Sequence, residues 1–203
     1  MSKGKLIVIS GPSGAGKGTV AGKLMELRKD LCFSVSVTTR QPRPGEVDGR
    51  EYFFIDNDAF DRMVENGELL EHARYVSNSY GTPKNYVTDK MNEGTNVLLD
   101  IEVQGARQVN AMMPEAIMIF LVPPSIEELR RRLEHRGTES EDTICERIRR
   151  ALQEYSEADF YDYLVVNDDA DAAASQISAI ITAESCRFED NKYILNKEME
   201  KLS

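Results

Sequence analysis

Leu6-Ile7-Val8-Ile9-Ser10-Gly11-Pro12-Ser13-Gly14-Ala15-Gly16-Lys17-Gly18-Thr19 is the stretch on which the fold turns. Leu6 to Ile9 is a short apolar run ending at Ser10-Gly11, the pattern of a buried parallel strand that enters a glycine turn. Beyond the turn, Val20, Ala21, Leu24 and Leu27 recur at helical spacing with Lys23, Glu26 and Arg28 between them, so residues 16–30 read as an amphipathic helix. Glycines at 11, 14 and 16 let several backbone N–H groups converge at the N-terminus of that helix, where the dipole favours an anion. Lys17 adds a mobile charge for the β- and γ-phosphates of a nucleoside triphosphate. The expected triphosphate site is Gly11, Pro12, Ser13, Gly14, Ala15, Gly16, Lys17, Gly18 and Thr19.

One position departs from the usual loop. Gly18 stands where a Ser or Thr commonly holds magnesium, and the hydroxyl comes one residue later, at Thr19. No direct protein ligation of the metal is therefore expected. Mg2+ would accompany ATP held mostly by phosphate oxygens and water, its ordinary preference. Asp100, at the end of the apolar run Val97-Leu98-Leu99, is placed to orient that hydrated ion, and Thr19 to contact a phosphate or, alternatively, the ion.

Further along the chain, Ile117 to Val122 and Tyr163 to Val166 read as two more core strands of the same parallel sheet. Phe33, Val35 and Val37 alternate with Ser34, Ser36 and Thr38, predicting a strand with one apolar and one hydroxyl-bearing face. Tyr52 to Ile55 resumes as a strand, and Asp58 is the expected cap of a helix striped by Phe60, Met63 and Val64. Ser125 should cap a helix that Gly137 breaks; a longer helix follows over residues 140–155, and residues 172–188 form a closing helix.

The 203 residues, 41% hydrophobic and 30% charged, suit one compact domain, and no apolar run reaches the roughly 20 residues of a spanning helix. The basic start is followed by too few apolar residues for a secretion signal, so a cytoplasmic location and no membrane partner are expected. A net charge of −10 argues against a general nucleic-acid surface. Cys32, Cys145 and Cys186 lack any paired spacing and read as reduced thiols. The arginines, however, gather at residues 40–50 and 130–150, the places for small phosphorylated ligands.

The segment Ser34-Val35-Ser36-Val37-Thr38-Thr39-Arg40-Gln41-Pro42-Arg43-Pro44-Gly45-Glu46, followed by Gly49-Arg50-Glu51-Tyr52-Phe53-Phe54, closely resembles the signature of guanylate kinases. The resemblance continues through Glu71, Tyr80-Gly81-Thr82, residues 99–105 and Val166-Asn167-Asp168-Asp169. It implies a P-loop nucleoside monophosphate kinase fold of the α/β class: a central parallel sheet flanked by helices, with a small mixed α/β GMP-binding insertion and a helical lid. In those terms the domain spans residues 4–187, with a core of 4–33, 95–124 and 156–187, a GMP-binding segment of 34–94, a lid of 125–155 and a charged helical tail of 188–203. The implied reaction is transfer of phosphate from ATP to GMP, with dGMP as a plausible second acceptor, by a monomer or homodimer serving purine nucleotide metabolism.

Arg40 and Arg43 can fork onto one phosphate, and a phenol such as Tyr52 or Tyr80 adds a neutral donor, which describes a monophosphate clamp. By resemblance, Glu71 takes the guanine donor edge while Ser36 and Thr82 reach O6; Asp100 stands open between that edge and magnesium. Transfer between two nucleotides needs no protein nucleophile, because the acceptor oxygen is already anionic. It needs cations and exclusion of water, so Lys17, Arg40, Arg136 and Arg147 are the expected catalytic residues, with Arg132 a weaker candidate near the lid tip. The Gly-Lys-Gly-Thr form also resembles adenylate kinases, and scaffold modules share the acceptor face; the lysine and the arginine-bearing lid favour a kinase over a scaffold.

Overall fold

The structure, a computed structural model, describes residues 3–75, 77–135 and 140–200. The chain runs β1 (Leu6–Ser10), α1 (Lys17–Leu27), β2 (Leu31–Phe33), β3 (Ser36–Thr38), β4 (Tyr52–Phe54), α2 (Asn57–Glu65), β5 (Leu69–Tyr75), β6 (Asn78–Pro83), α3 (Lys84–Asn92), β7 (Asn96–Asp100) and α4 (Val103–Met112). It continues with β8 (Ile117–Val122), α5 (Ile126–His135), α6 (Glu141–Ser156), β9 (Tyr163–Val166), α7 (Ala170–Ser185) and α8 (Phe188–Glu200). A parallel sheet ordered β2-β7-β1-β8-β9 forms the centre, and a second sheet ordered β4-β3-β6-β5 forms the insertion.

The central strands are apolar along their length because both faces are covered. Ile7, Ile9, Leu98, Ile119 and Leu121 pack on one side against Val20 and Leu24 of α1 and Ala174 and Ile177 of α7. Leu6, Val8, Val97, Leu99 and Met118 pack on the other against Val87 and Met91 of α3 and Ala106 and Val109 of α4. Burial on two faces removes the alternation that a half-exposed strand would show. The strand order turns at β1, so the crevice beyond the carboxyl ends of β1, β7 and β8 is where an open α/β sheet receives its ligand.

The alternating strand expected from Phe33 is two strands in two sheets. Phe33 closes β2 beside Leu98, Ser34 N–H donates to Leu98 O at 3.0 Å, and the chain then crosses to pair Ser36–Thr38 with β4 and β6. Phe33 is 42% exposed whereas Val37 is buried at 3%, so the three apolar residues do not share one face. The cap of α2 is also shifted: Asp56 Oδ1 accepts from Ala59 N–H at 2.6 Å, while Asp58 lies in the first turn, where its charge meets the helix dipole.

In the segment expected to form the lid, Ser125 Oγ accepts from Glu128 N–H, the expected cap, and Ser140 Oγ accepts from Thr143 N–H, a cap the sequence reading did not name. Leu129, Leu133, Ile144 and Ala151 give α5 and α6 a small core of their own. The expected break at Gly137 lies outside the described residues. The closing helix ends at Ser185, earlier than expected, and α8 follows, tied to the start of the chain by Lys5 and Asp190 at 2.5 Å. Among the described residues no helix is long and apolar enough to cross a membrane.

Candidate active site

Gly11 (φ 147°), Gly14 (φ 94°) and Gly16 (φ 89°) curl the chain between β1 and α1. At two of them a side chain would meet a close neighbour: a Cβ on Gly11 would stand 2.1 Å from the backbone Leu121 O, and one on Gly16 2.4 Å from the Asn167 side-chain Nδ2, which would have to shift. Helix α1 has no side-chain cap and no acidic residue in its first turn, so its leading N–H groups remain available to an anion. Lys17 Nζ folds back onto Gly11 O at 2.7 Å and Pro12 O at 3.3 Å, within reach of the space the loop encloses.

Ser13, Gly14, Gly16, Lys17, Gly18, Thr19 and Asp100 line a single cavity of about 420 Å³. The two residues expected near a hydrated ion therefore meet in space, and a Cβ on Gly18 would lie 3.7 Å from Asp100 Oδ2. Protein packed around Asp100 pushes its carboxyl above the usual range, and the Lys17 cation opposes this. A hydroxyl and a carboxylate lining one open cavity suit a hard cation that retains water. The donor set thus fits Mg2+, with Thr19 and Asp100 as the side chains that would hold it.

On the acceptor side, parallel pairing of β3 with β4 sets Ser36 opposite Tyr52, and antiparallel pairing with β6 sets Thr38 opposite Tyr80. Tyr52 and Tyr80 meet edge-on with ring centroids 6.1 Å apart, and the Arg40 guanidinium lies 5.4 Å over the Tyr52 ring. Arg40 forks onto Glu46 through bonds of 3.0 and 2.9 Å, which hold the Glu46 carboxyl below the usual carboxylate range. Glu46 also accepts from Arg43 N–H at 2.7 Å, so one carboxylate organises the loop that bears both arginines; the Arg43 side chain itself is exposed.

Glu71 is 8% exposed, and Thr82 Oγ donates to its Oε1 at 2.7 Å. Burial pushes the Glu71 carboxyl up, and the Thr82 hydrogen bond partly offsets this. The Thr82 hydroxyl hydrogen is thereby committed to Glu71, leaving Ser36, half-exposed on β3, as the hydroxyl of the expected pair with a donor to offer a ligand.

Two arginines, one on α5 and one on α6, reach the loop in different ways. Arg147 Nη1 of α6 donates to Ser13 Oγ at 3.1 Å, on the open side of the phosphate loop. Arg132 instead backs the loop: it pairs with Glu128 at 2.7 Å and donates to Asn167 O at 2.9 Å and Ala15 O at 3.4 Å. Arg132, expected near the lid tip, lies one turn before the end of α5, with its guanidinium turned to the loop's backbone at Ala15. Arg136 lies outside the described residues. Arg130, Arg131 and Arg150 make surface ion pairs, with Glu134 and Glu141, Glu128, and Glu154 and Glu102 respectively.

A sequence model described as guanylate kinase matches residues 3–184. The chain belongs to the guanylate kinase family. It is 50% identical to the guanylate kinase of Caldanaerobacter subterraneus subsp. tengcongensis over 98% of this chain and 96% of that one. It is 50% identical to the guanylate kinase of Shouchella clausii over 98% of both chains. The crystal structure of guanylate kinase from Anaplasma phagocytophilum superimposes with a TM-score of 0.70 at 39% identity, covering 92% of this chain and 89% of that one. Guanylate kinases phosphorylate GMP with ATP, and the two-sheet architecture holds a glycine loop before α1 and a buried carboxylate at Glu71 in this member of that family.

Two contributors to this guanylate kinase site were not singled out by sequence. Glu46 lay inside the quoted motif, but a carboxylate six residues from an arginine carries no signal of a fork until the loop is folded. Asn167, 4% exposed, donates from Nδ2 to Ala15 O at 2.7 Å and holds the loop from behind; an Asn after an apolar strand reads only as a turn.

Proposed function

We propose that the chain transfers the γ-phosphoryl group of MgATP to GMP, with dGMP as a second acceptor, using Gly11–Thr19 as the donor half and Ser36, Arg40, Arg43, Tyr52, Glu71, Tyr80 and Thr82 as the acceptor half. The observation that carries this reading is the Glu71–Thr82 pair, a buried carboxylate held from one side by a hydroxyl. Guanine offers N1–H and N2–H₂ as adjacent donors, which a carboxylate complements; adenine would turn an acceptor toward it. Ser36 supplies the donor to O6, because the Thr82 hydrogen already points at Glu71. A ligand whose donors replace water around Glu71 favours its charged form, against the burial that raises its pKa.

Arg40 and Arg43, with the Tyr52 and Tyr80 phenols, hold the acceptor phosphate. Its oxygen forms the new P–O bond as the bond to the ADP oxygen breaks, giving ADP and GDP without a protein base. Lys17 and Arg147 neutralise the moving charge from the donor side, with Arg136 assigned the same task. Thr19 and Asp100 would hold a hydrated Mg2+, which when bound would supply neutralisation of the donor's phosphate charge. Asp100 is assigned to the donor side in this reading, since it lines the same cavity as Lys17 and Thr19. A cytoplasmic setting is supported by three unpaired cysteines, which a reducing compartment preserves.

A nucleotide panel tests the assignment. With MgATP as donor, GMP and dGMP should give diphosphate product while AMP, UMP and dTMP give little; preferred use of AMP would overturn the base assignment.

A further inference from the structure

Helix α4 springs from the central sheet, directly after β7, yet two of its residues grip β5 of the insertion. Gly105 sits under the Glu71 carboxylate: a Cβ there would stand 3.0 Å from Glu71 Oε2 and 3.5 Å from its Cδ and Cγ. Gly105 is within the helix and is not among the positive-φ glycines, so its backbone does not require glycine. Glycine in a helix interior is disfavoured relative to alanine. What the missing side chain provides at this position is room for Glu71.

Three residues on, Gln108 holds the neighbouring backbone. Its Oε1 accepts from His72 N–H and its Nε2 donates to His72 O, both at 3.1 Å. Strand β5 is the edge of its sheet, so this amide takes the place of the next strand's peptide for one residue. The support is needed there: the β5–β6 register shifts between Leu69 and His72, so the ladder does not by itself set the height of Glu71.

We infer that Gly105 and Gln108 are the positioning residues for base selection, fixing the Glu71 carboxylate against the core so that its free oxygen stands at one height in the acceptor cleft. This rests on the assignment of Glu71 to guanine. A Cβ at 105 is too close to Oε2 to be accommodated without movement, and Oε1 is tethered to Thr82, so the carboxylate must turn or shift by a few tenths of an ångström. Hydrogen bonds to a buried charged group are sensitive to such displacement. The two sides of the site then respond differently: the base contact weakens, while the phosphate loop, on another element, does not move.

The test is steady-state kinetics of Gly105→Ala, Gln108→Leu, Glu71→Gln and the double variant Gly105→Ala/Glu71→Gln, with GMP and with IMP, which lacks the N2 amine. Gly105→Ala should raise KM for GMP about tenfold, leave KM for MgATP within about twofold, and narrow the preference for GMP over IMP. Gln108→Leu should shift the same constants in the same direction. In the Glu71→Gln background, Gly105→Ala should change KM for GMP by less than about twofold, because the group it displaces no longer selects the base. Equal effects of Gly105→Ala in both backgrounds, or equal rises in KM for GMP and MgATP, would overturn the positioning role while leaving the base assignment standing. An unchanged KM for GMP in Glu71→Gln alone would overturn the base assignment and this inference with it. Thermal melting of each variant separates these outcomes from misfolding, and the helical preference for alanine favours a folded Gly105→Ala.

Discussion

Arg40 grips Glu46 through two parallel N–H···O bonds of 3.0 and 2.9 Å while its guanidinium lies over the Tyr52 ring. The fork and the stack together orient a cation on the acceptor side, and a lysine could reproduce its charge but neither its planarity nor its two-pronged donation. Arg40→Lys should therefore lower kcat/KM for GMP by about one to two orders of magnitude while moving KM for MgATP by less than about threefold. Initial rates with each substrate varied in turn would show this; a matching loss on the ATP side would remove Arg40 from the GMP clamp.

Glu71 predicts a pH dependence whose sign follows from its burial. Its carboxyl pKa is raised in the folded protein, so between the ordinary carboxylate range and the raised value the folded state binds the proton more tightly than the unfolded chain. Ionising Glu71 therefore costs stability above the raised pKa, and that cost disappears as pH falls through the raised value toward the ordinary one. Glu71→Gln, which cannot ionise, should gain melting temperature relative to the parent on going from acid to neutral pH. In binding the sign reverses: protonation removes the acceptor for guanine, so GMP affinity should fall on acidification above the ordinary carboxylate range. The phosphate of GMP titrates nearby in pH, and the Glu71→Gln profile supplies the reference. Parallel profiles for parent and variant would contradict the assignment.

Lys17 and Arg147 should separate by kinetic signature. Lys17→Ala should depress transfer by about two or more orders of magnitude with an unchanged fold, since positioning and charge neutralisation carry the reaction. Arg147→Ala should act mainly on kcat, because its contact is with Ser13 on the lid-facing side of the loop and not with the base pocket. Circular dichroism and initial rates check both. A change confined to KM for GMP would move Arg147 out of the transfer site.

Gly16→Ala tests how tightly the loop is backed. The new Cβ would meet Asn167 Nδ2 at 2.4 Å on a residue held at φ 89°, and would break the Asn167 bond to Ala15 O. The variant should lose about 1–3 kcal/mol of stability and bind ATP more weakly. Denaturant melts and nucleotide titration would register both losses; normal stability would show that the loop can relax around a side chain.

Residues 6–19 told strand, loop and helix correctly because each depends on short-range physics: β-branched burial, glycine curvature and a helical apolar stripe, all legible within a few residues. The cap at Ser125 was readable for the same reason, its hydroxyl accepting from an N–H three residues on. The cap of α2 was misread at Asp58 because Asp56 offers an equivalent carboxylate two residues earlier, and only the path of the chain leaving β4 chooses between them.

The sequence by itself determined a glycine-loop α/β protein and pointed to the candidate phosphate-binding residues and the motif around Arg40, because those reside in contiguous patterns. The tertiary structure alone decided that the chain changes sheets after Phe33, that Arg132 backs the loop, that the Thr82 hydrogen belongs to Glu71, and that Gly105 makes room for it. Arg132 meets Ala15 across 117 positions and Gln108 meets His72 across 36. Contacts at such separations are set by how elements pack, and neither the spacing nor the chemistry of one partner announces the other.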